Sequence, residues 1–391
     1  MKSLKILPII LCCTLLSGCW DKVEIDKKLF VSTIGVDAGQ DIGKDKKLKD
    51  IGPSEPFGEM NMKKLKVTYG FPDISELSPG KGGTAKEKDI SVDAYSMEDA
   101  YNKTAARSSR TVHFGHTQLL LLSSDLMAYP DTVKEIVDYL QRQPSLNRTM
   151  QVAVADGSVE GYIKYQPLME KNIESYISGV MENSSQNANV YPMSLNEFLM
   201  LLSENGNATV PRLSIDKDKN ELKVNGVAII KGFTLKGYLG PSETSNLEIL
   251  RGKLKGGKKV ILYEGHPIDY NIDSLERRVV VSRRDDKLQF DLYIDIEGEL
   301  KGYYVGKEFL SGKELKAVEK DFNKAIAEEC RKVIKTTQGK FGVDPIGLRE
   351  YVEKYHPIIW NNIKDNWEQE YKQAVININI DTKIRRIGVV K

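Results

Sequence analysis

The first nineteen residues constrain this chain more than any other feature. Lys2 and Lys5 precede an apolar run, Ile6 to Leu16, of 11 residues. A bilayer-spanning helix needs ~20 apolar residues, so this run is too short to cross a membrane. It has the length of a signal-peptide core. The run ends in Leu16-Ser17-Gly18-Cys19: a branched residue, two small residues and a cysteine, in the order of a bacterial lipobox. A thiol there accepts a diacylglyceryl group as a thioether, and the small residues before it admit a peptidase to the backbone. Cleavage then leaves Cys19 as a lipidated N-terminus. Two acyl chains, at ~0.8 kcal/mol per buried CH₂, hold a protein stably on a bilayer. Residues 1–18 are therefore expected to be a removable signal, and the remainder a water-facing body tethered at one end.

Removing residues 1–18 changes what the composition means. The loss of Lys2 and Lys5 takes the formal charge from +2 to zero, and the loss of Cys12 and Cys13 leaves only Cys19 and Cys330. A neutral chain has no whole-molecule field for nucleic acid. With Cys19 acylated, no internal disulfide can form, so the core alone must hold the fold. Four histidines offer little for a histidine-rich metal site, and no cofactor is expected. The remaining 373 residues are enough for two or three domains.

The patterning predicts an α+β (mixed α/β) multidomain protein, its mixed sheets flanked by helices. Residues 29–36 read as a strand, and Leu65-Lys66-Val67-Thr68-Tyr69 alternates as a half-buried one. Polar stretches at 39–64 and 72–89 read as surface loops. Ser96 caps a helix running to Arg107, and His116 to Leu122 reads as a buried strand by its four leucines. A helix from Asp131 buries Val133, Ile136, Val137 and Leu140 and stops before Pro144. Met150 to Ala155 is a strand, and Ser194 with Glu197 opens a helix that Gly206 closes. The N-terminal domain is thus placed at 19–205 and a charged linker at 206–222.

A C-terminal region follows over 223–391, with a further division into 223–305 and 306–391 left open. It begins with a hairpin around Lys231-Gly232, and strand signals recur at 259–263, 279–282 and 288–296. The longest helix signal is 312–337, where Leu315, Val318, Phe322, Ile326, Cys330 and Val333 recur every three or four residues, with Gly339 as its C-cap. Val375 to Ile380 alternates as a final strand.

Several motifs come near a chemistry and miss it. Gly252 to Lys259 imitates a phosphate loop, but Lys259 stands where Mg²⁺ needs Ser or Thr, so a basic surface turn is expected. Asp216, Asp218 and Asn220 open like a calcium loop that Glu221 and Val227 then break. His113 and His116 lack a third ligand at local spacing. Cys330 lies on an apolar stripe and reads as a packing thiol. Trp360 and Trp367 are core residues by default, a partner-binding pair being the alternative. No nucleophile stands near a suitable base, and no catalytic residue is assigned. Trp20, Asp21, Glu24 and Ile25 are the candidate partner-binding residues. At ~3.6 Å per extended residue they cannot leave the surface to which Cys19 is tied. Trp20 suits contact either with a membrane subunit or with the headgroups themselves.

The opening Gly18-Cys19-Trp20-Asp21-Lys22-Val23-Glu24-Ile25, followed by Ile34-Gly35-Val36-Asp37, resembles the Ger(x)C family, the lipoprotein C subunits of spore germinant receptors. Phe114-Gly115-His116 resembles a middle segment of that family. Arg142-Gln143-Pro144-Ser145-Leu146-Asn147-Arg148 resembles its Arg-x-Pro-x-x-x-Arg stretch, with Gln143 where Asp is more usual. Gly226-Val227-Ala228 with Gly237-Tyr238-Leu239, then Gly342 to Gly347, then Asn366-Trp367-Glu368 continue the likeness in order; the polar insertion at 39–64 departs from it. The resemblance implies several mixed α/β domains without catalytic activity. It also implies two partners, a transporter-like membrane-embedded subunit and a second membrane subunit, on the outer face of the spore inner membrane. The competing readings are a lipid-anchored solute-binding protein, which needs two parallel βαβ lobes, and an anchored hydrolase, which needs clustered perturbed carboxylates.

Overall fold

The computed structural model describes residues 27–44, 62–73, 87–170, 172–183, 191–216, 218–219, 221–263, 265–301 and 312–387. Cys19, Trp20, Asp21, Glu24 and Ile25, the signal segment, and most of the 39–64 and 72–89 stretches lie outside the described residues.

The first ten strands are β1 (Lys28–Phe30), β2 (Thr33–Ala38), β3 (Leu65–Pro72), β4 (Glu87–Ala94), β5 (Thr111–His113), β6 (Leu119–Ser123), β7 (Gln151–Ala155), β8 (Ala208–Asp216), β9 (Glu221–Lys231) and β10 (Thr234–Leu239). Apart from β1 and β5, which pair only with each other, they form one sheet in the order β10-β9-β8-β7-β6-β2-β3-β4. Its middle, β2-β6-β7-β8, is parallel, and both flanks are antiparallel. Parallel strands are covered on both faces, which is why β6 is all leucine up to Ser123.

Strand side chains alternate between faces, and the four leucines separate accordingly. Leu120 and Leu122 join a core formed with α1 (Met97–Arg107), α2 (Pro130–Arg142) and α5 (Leu195–Asn205). Leu119 and Leu121 join a second core under α3 (Glu160–Ile163) and α4 (Ile173–Glu182). Ser96 caps α1 by accepting from the Asp99 N–H at 3.1 Å, and Ser194 caps α5 by accepting from the Glu197 N–H at 3.2 Å. Gly206 closes α5 at φ 73°.

A second sheet has the order β11-β12-β13-β14, from β11 (Lys258–Tyr263), β12 (His266–Arg284), β13 (Lys287–Lys301) and β14 (Val375–Ile387). The β12–β13 hairpin turns at Asp285 and Asp286, both at positive φ, as a two-residue turn requires. β13 buries every second residue, among them Phe290, Leu292, Ile294 and Ile296. After α6 (Pro241–Arg251), the 23-residue α7 (Gly312–Ile334) lays Val318, Phe322, Ile326, Cys330 and Val333 into this core. Phe322 packs against Tyr270 with the rings tilted and their centroids 5.1 Å apart. Three short helices follow, α8 (Leu348–Tyr355), α9 (Pro357–Ile363) and α10 (Trp367–Gln373).

The α+β class holds, whereas several elements differ from expectation. The 29–36 strand is two strands, because Phe30 pairs across to β5 while Thr33 onward enters the large sheet. β4 occupies the end of the 72–89 stretch; as an antiparallel edge strand it tolerates its charges. The 206–222 stretch holds β8 and the start of β9, so the large sheet continues through it to Leu239. Pro211 sits there at a register shift against β9, a place where a sheet accepts proline. α7 does not stop at Gly339. A π-helical turn over Lys335–Phe341 carries the chain on to Gly342, which caps it at φ 64°.

Candidate functional site

The turn after α7 places charged groups where the two sheets meet. Gly342 at φ 64° and Gly347 at φ 82° bracket Val343-Asp344-Pro345-Ile346. Asp344 organises this turn: Oδ1 accepts the N–H groups of Ile346 (3.1 Å) and Gly347 (3.2 Å), and Oδ2 accepts that of Arg349 (2.7 Å). Desolvation, reinforced by the nearby Glu350 charge, pushes the Asp344 carboxyl up to about 7, against the opposing pull of those N–H groups.

The turn forms one wall of a cleft of about 290 Å³ whose other walls are α5, the start of β8, the end of α6 and α10. Arg277, on β12, reaches it and donates from Nη1 to the carbonyls of Leu250 (2.8 Å) and Ile346 (3.4 Å). Burial lowers the Arg277 pKa, with Asp344 acting against the shift. Arg251 lies over the Tyr191 ring at 4.2 Å and donates from Nη2 to its hydroxyl at 2.9 Å. That hydroxyl in turn donates to Glu197 Oε1 at 2.8 Å. The Glu197 carboxylate therefore serves Tyr191 and leaves the capping box one-sided.

Side chains also tie the two sheets across this cleft. Lys231 on β9 donates to the Gly342 carbonyl at 2.9 Å and lies 3.1 Å from Glu368. Arg349 on α8 bonds Glu204 on α5 at 3.2 Å, with its guanidinium 5.1 Å from the Trp360 ring centre. Trp360 and Trp367 do come together, 5.8 Å apart and edge to face. Trp367 is buried and stacks on Tyr371, so core packing accounts for it, while Trp360 sits half-buried under Arg349.

The other sequence candidates are placed as follows. The Gly252 to Lys259 stretch is the exit from α6 into β11, with Gly252 as a left-handed helix cap. Lys259 is buried and bonds Asn246 Oδ1 (2.6 Å) and Glu329 Oε2 (3.0 Å). Asp216 turns β8 into β9 by accepting the N–H groups of Asp218 and Lys219. His113 and His116 flank Phe30, their ring centroids 5.6 and 5.0 Å from it. Cys330 is fully buried, and burial pushes its thiol up to about 12, which suits packing and not nucleophilic attack. Arg251, Arg277 and Arg349 were not singled out by the sequence. Their only signal was the Gly-Val-Asp-Pro-Ile-Gly turn they surround.

Two family models match the chain in succession. "Spore germination protein N-terminal domain" matches residues 21–215, and "Spore germination B3/ GerAC like, C-terminal" matches residues 225–388. The junction between them falls near the expected linker even though the large sheet runs across it. Similar chains include "Spore germination protein YndF" of Bacillus subtilis (strain 168), 24% identical over 96% of this chain and 94% of that one. "Spore germination protein GerQC" of Bacillus cereus is 25% identical over 84% and 89% respectively. "Spore germination protein B3" of Bacillus subtilis (strain 168) is 22% identical over 96% and 95%. The crystal structure of the GerBC protein has a similar fold, with a TM-score of 0.58 at 19% identity, covering 82% of this chain and 93% of that one. With both halves matched in order along its length, the chain belongs to the Ger(x)C family of spore germination proteins.

Proposed function

We propose that the protein is a non-enzymatic subunit of a spore nutrient germinant receptor, anchored by a diacylglyceryl group on Cys19. On this reading it sits on the outer face of the spore inner membrane. It assembles there with a transporter-like membrane-embedded subunit and a second membrane subunit. The observation that carries the reading is the ordered match of both family halves beginning directly after the Leu16-Ser17-Gly18-Cys19 pattern. Among the described residues no helix is long and apolar enough to cross a membrane. Trp20, Asp21, Glu24 and Ile25 are the partner contacts proposed next to it.

A lipid-anchored solute-binding protein would need two like lobes closing on a hinge. The eight-stranded and four-stranded sheets are unlike each other, and Lys231 and Arg349 bond across their junction. Those ties favour a body that presents surfaces over one that shuts on a solute.

The anchor is tested by Cys19→Ala in sporulating cells. Labelled palmitate should enter the parent chain and not the variant, and the variant should leave the membrane fraction or remain uncleaved. Normal labelling and retention of Cys19→Ala would refute the anchor. Unchanged germination after deletion of the gene, with no redundant receptor to supply the response, would refute the receptor assignment.

A further inference from the structure

The cleft beside the Asp344 turn holds more positive charge than its own carboxylates meet. Every carboxylate that lines it already has a donor. Glu197 accepts the Tyr191 hydroxyl at 2.8 Å, Glu368 lies 3.1 Å from Lys231, and Glu350 lies 3.9 Å from Arg349. Asp344 uses both oxygens on the N–H groups of its own turn. The cations divide differently. Arg349 bonds Glu204, and Arg251 lies 3.4 Å from Glu248. Arg277 and the exposed Lys253 have no carboxylate within ion-pair distance among the described residues.

Arg277 presents its unpaired charge in a fixed orientation. Nη1 donates to the carbonyls of Leu250 and Ile346, which holds the plane of the guanidinium. Nε and Nη2 bond nothing among the described residues, and neither is sealed from solvent. These two nitrogens form one edge of the group, whose parallel N–H donors match the two oxygens of a carboxylate. The chain uses the same edge elsewhere: Arg212 holds Asp156 Oδ2 with Nε at 3.0 Å and Nη2 at 2.6 Å. Gly252 makes room for the Arg277 stem, since a Cβ there would lie 2.7 Å from Arg277 Cβ. Burial works against the Arg277 charge, Asp344 supports it from beyond bonding distance, and Arg251 repels it. A partly buried cation without a bonded counter-charge is costly, and an anion on its open edge relieves that cost.

We propose that this cleft binds a small monocarboxylate, gripped by the Nε–Nη2 edge of Arg277, with Lys253 at the rim and the apolar body against Met200, Leu201 and Val343. A single charge fits better than a phosphate's ~1.5 to 2, because Glu197, Glu350 and Glu368 also line the walls. The volume of about 290 Å³ lies at the small end of ligand pockets, ~300–1,000 Å³. The bonds from Lys231 to Gly342 and from Arg349 to Glu204 fix the walls, so the site is preformed and needs no closure. The inference stands on the cleft alone and does not depend on the receptor reading.

The test is thermal unfolding of the full chain in detergent micelles at pH 6, titrated with sodium pentanoate. At that pH the Asp344 carboxyl, pushed up to about 7 by burial and the Glu350 charge, is mostly protonated. Three controls match the probe: 1-pentanol for the apolar body, n-pentylammonium chloride for the sign of the charge, and sodium phosphate for an anion of another shape. The proposal expects a saturable rise in Tm with pentanoate that no control equals. Arg277→Lys keeps the charge and a donor for the two carbonyls but loses the paired edge, and should weaken pentanoate binding at least ~10-fold. Lys253→Glu, a change at an exposed position, should weaken it roughly 3-fold, the scale of an exposed charge contact. Lys324→Ala, outside the cleft, should leave it unchanged. An equal rise with any control would overturn the proposal, as would the absence of a saturable rise with pentanoate in the parent chain. Undiminished binding in folded Arg277→Lys would overturn it too, and if that variant does not fold, undiminished binding in Lys253→Glu would do so.

Discussion

The Nζ of Lys231, on a strand of the eight-stranded sheet, donates to the carbonyl of Gly342 at 2.9 Å, in the turn that follows the longest helix of the other half. Gly342 caps that helix in a left-handed conformation. The bond therefore joins the one sheet directly to the helix end that packs the other. Arg349 to Glu204 is a second such tie, added to the apolar core that the two halves share.

Lys231→Ala is expected to destabilise the chain by about 1–2 kcal/mol, because it strips a carbonyl of a charged donor. Combined with Arg349→Ala, it should lower the denaturant midpoint further than either single variant. Urea titration followed by tryptophan fluorescence checks this, since Trp360 and Trp367 both lie in the C-terminal half. An unshifted midpoint in the double variant would show that the ties carry no stability.

Phe322 is fully buried on Tyr270, and Lys324, two residues on, is exposed. Truncating a buried phenylalanine to alanine costs ~3–5 kcal/mol. An exposed lysine costs under ~0.5 kcal/mol. Phe322→Ala should therefore lower the denaturant midpoint far below that of Lys324→Ala, and equal midpoints would mean that the helix presents a different face.

Stability should fall as pH rises from about 5 to about 8. Glu174 sits near 8 and Asp344 near 7 in the folded chain, both raised by burial above ordinary carboxylates. In that window the unfolded chain has already released these protons while the folded chain still holds them. The unfolded state binds fewer protons, so the slope of stability against pH is negative. Below the ordinary carboxylate range both states are protonated and these two groups exert no effect. Midpoints measured from pH 5 to 9 should decline, and Glu174→Gln should flatten the decline. A parent profile that rises over this range would contradict the burial of these groups.

Local signals carried the helices and the central strands into view. Leu119 to Leu122 announce a strand covered on both faces, Ser194 and Gly206 bracket α5, and the spacing of Val318, Phe322, Ile326 and Cys330 identifies α7. The edge strand β4 and the bulged β8 were illegible, because charge and Pro211 imitate loop chemistry where one face is wet or a register shifts. The π-helical turn displaced the cap from Gly339 to Gly342, and no residue pattern encodes that extra width. The cleft was illegible for another reason. Arg251, Arg277 and Asp344 meet only through tertiary packing, and each looks alone like an ordinary surface charge. Glu87 on β4 and Glu174 on α4 are likewise distant along the chain, and only the packing of that helix on the sheet brings them together. The residues around Cys19, by contrast, carry their message entirely in sequence.

Partner assembly at the membrane is the centre of this account, and affinity purification tests it most directly. The full chain, tagged at its C-terminus, is recovered from detergent-solubilised spore inner membranes, and the co-purifying proteins are identified. The account predicts that a transporter-like polytopic subunit and a second membrane subunit come with it in comparable amounts. Both should be lost from Cys19→Ala, and both should be depleted when Trp20→Ala or Glu24→Ala is recovered from membranes with its lipid intact. Recovery of the anchored parent chain without either membrane subunit, from spores that germinate normally, would contradict it.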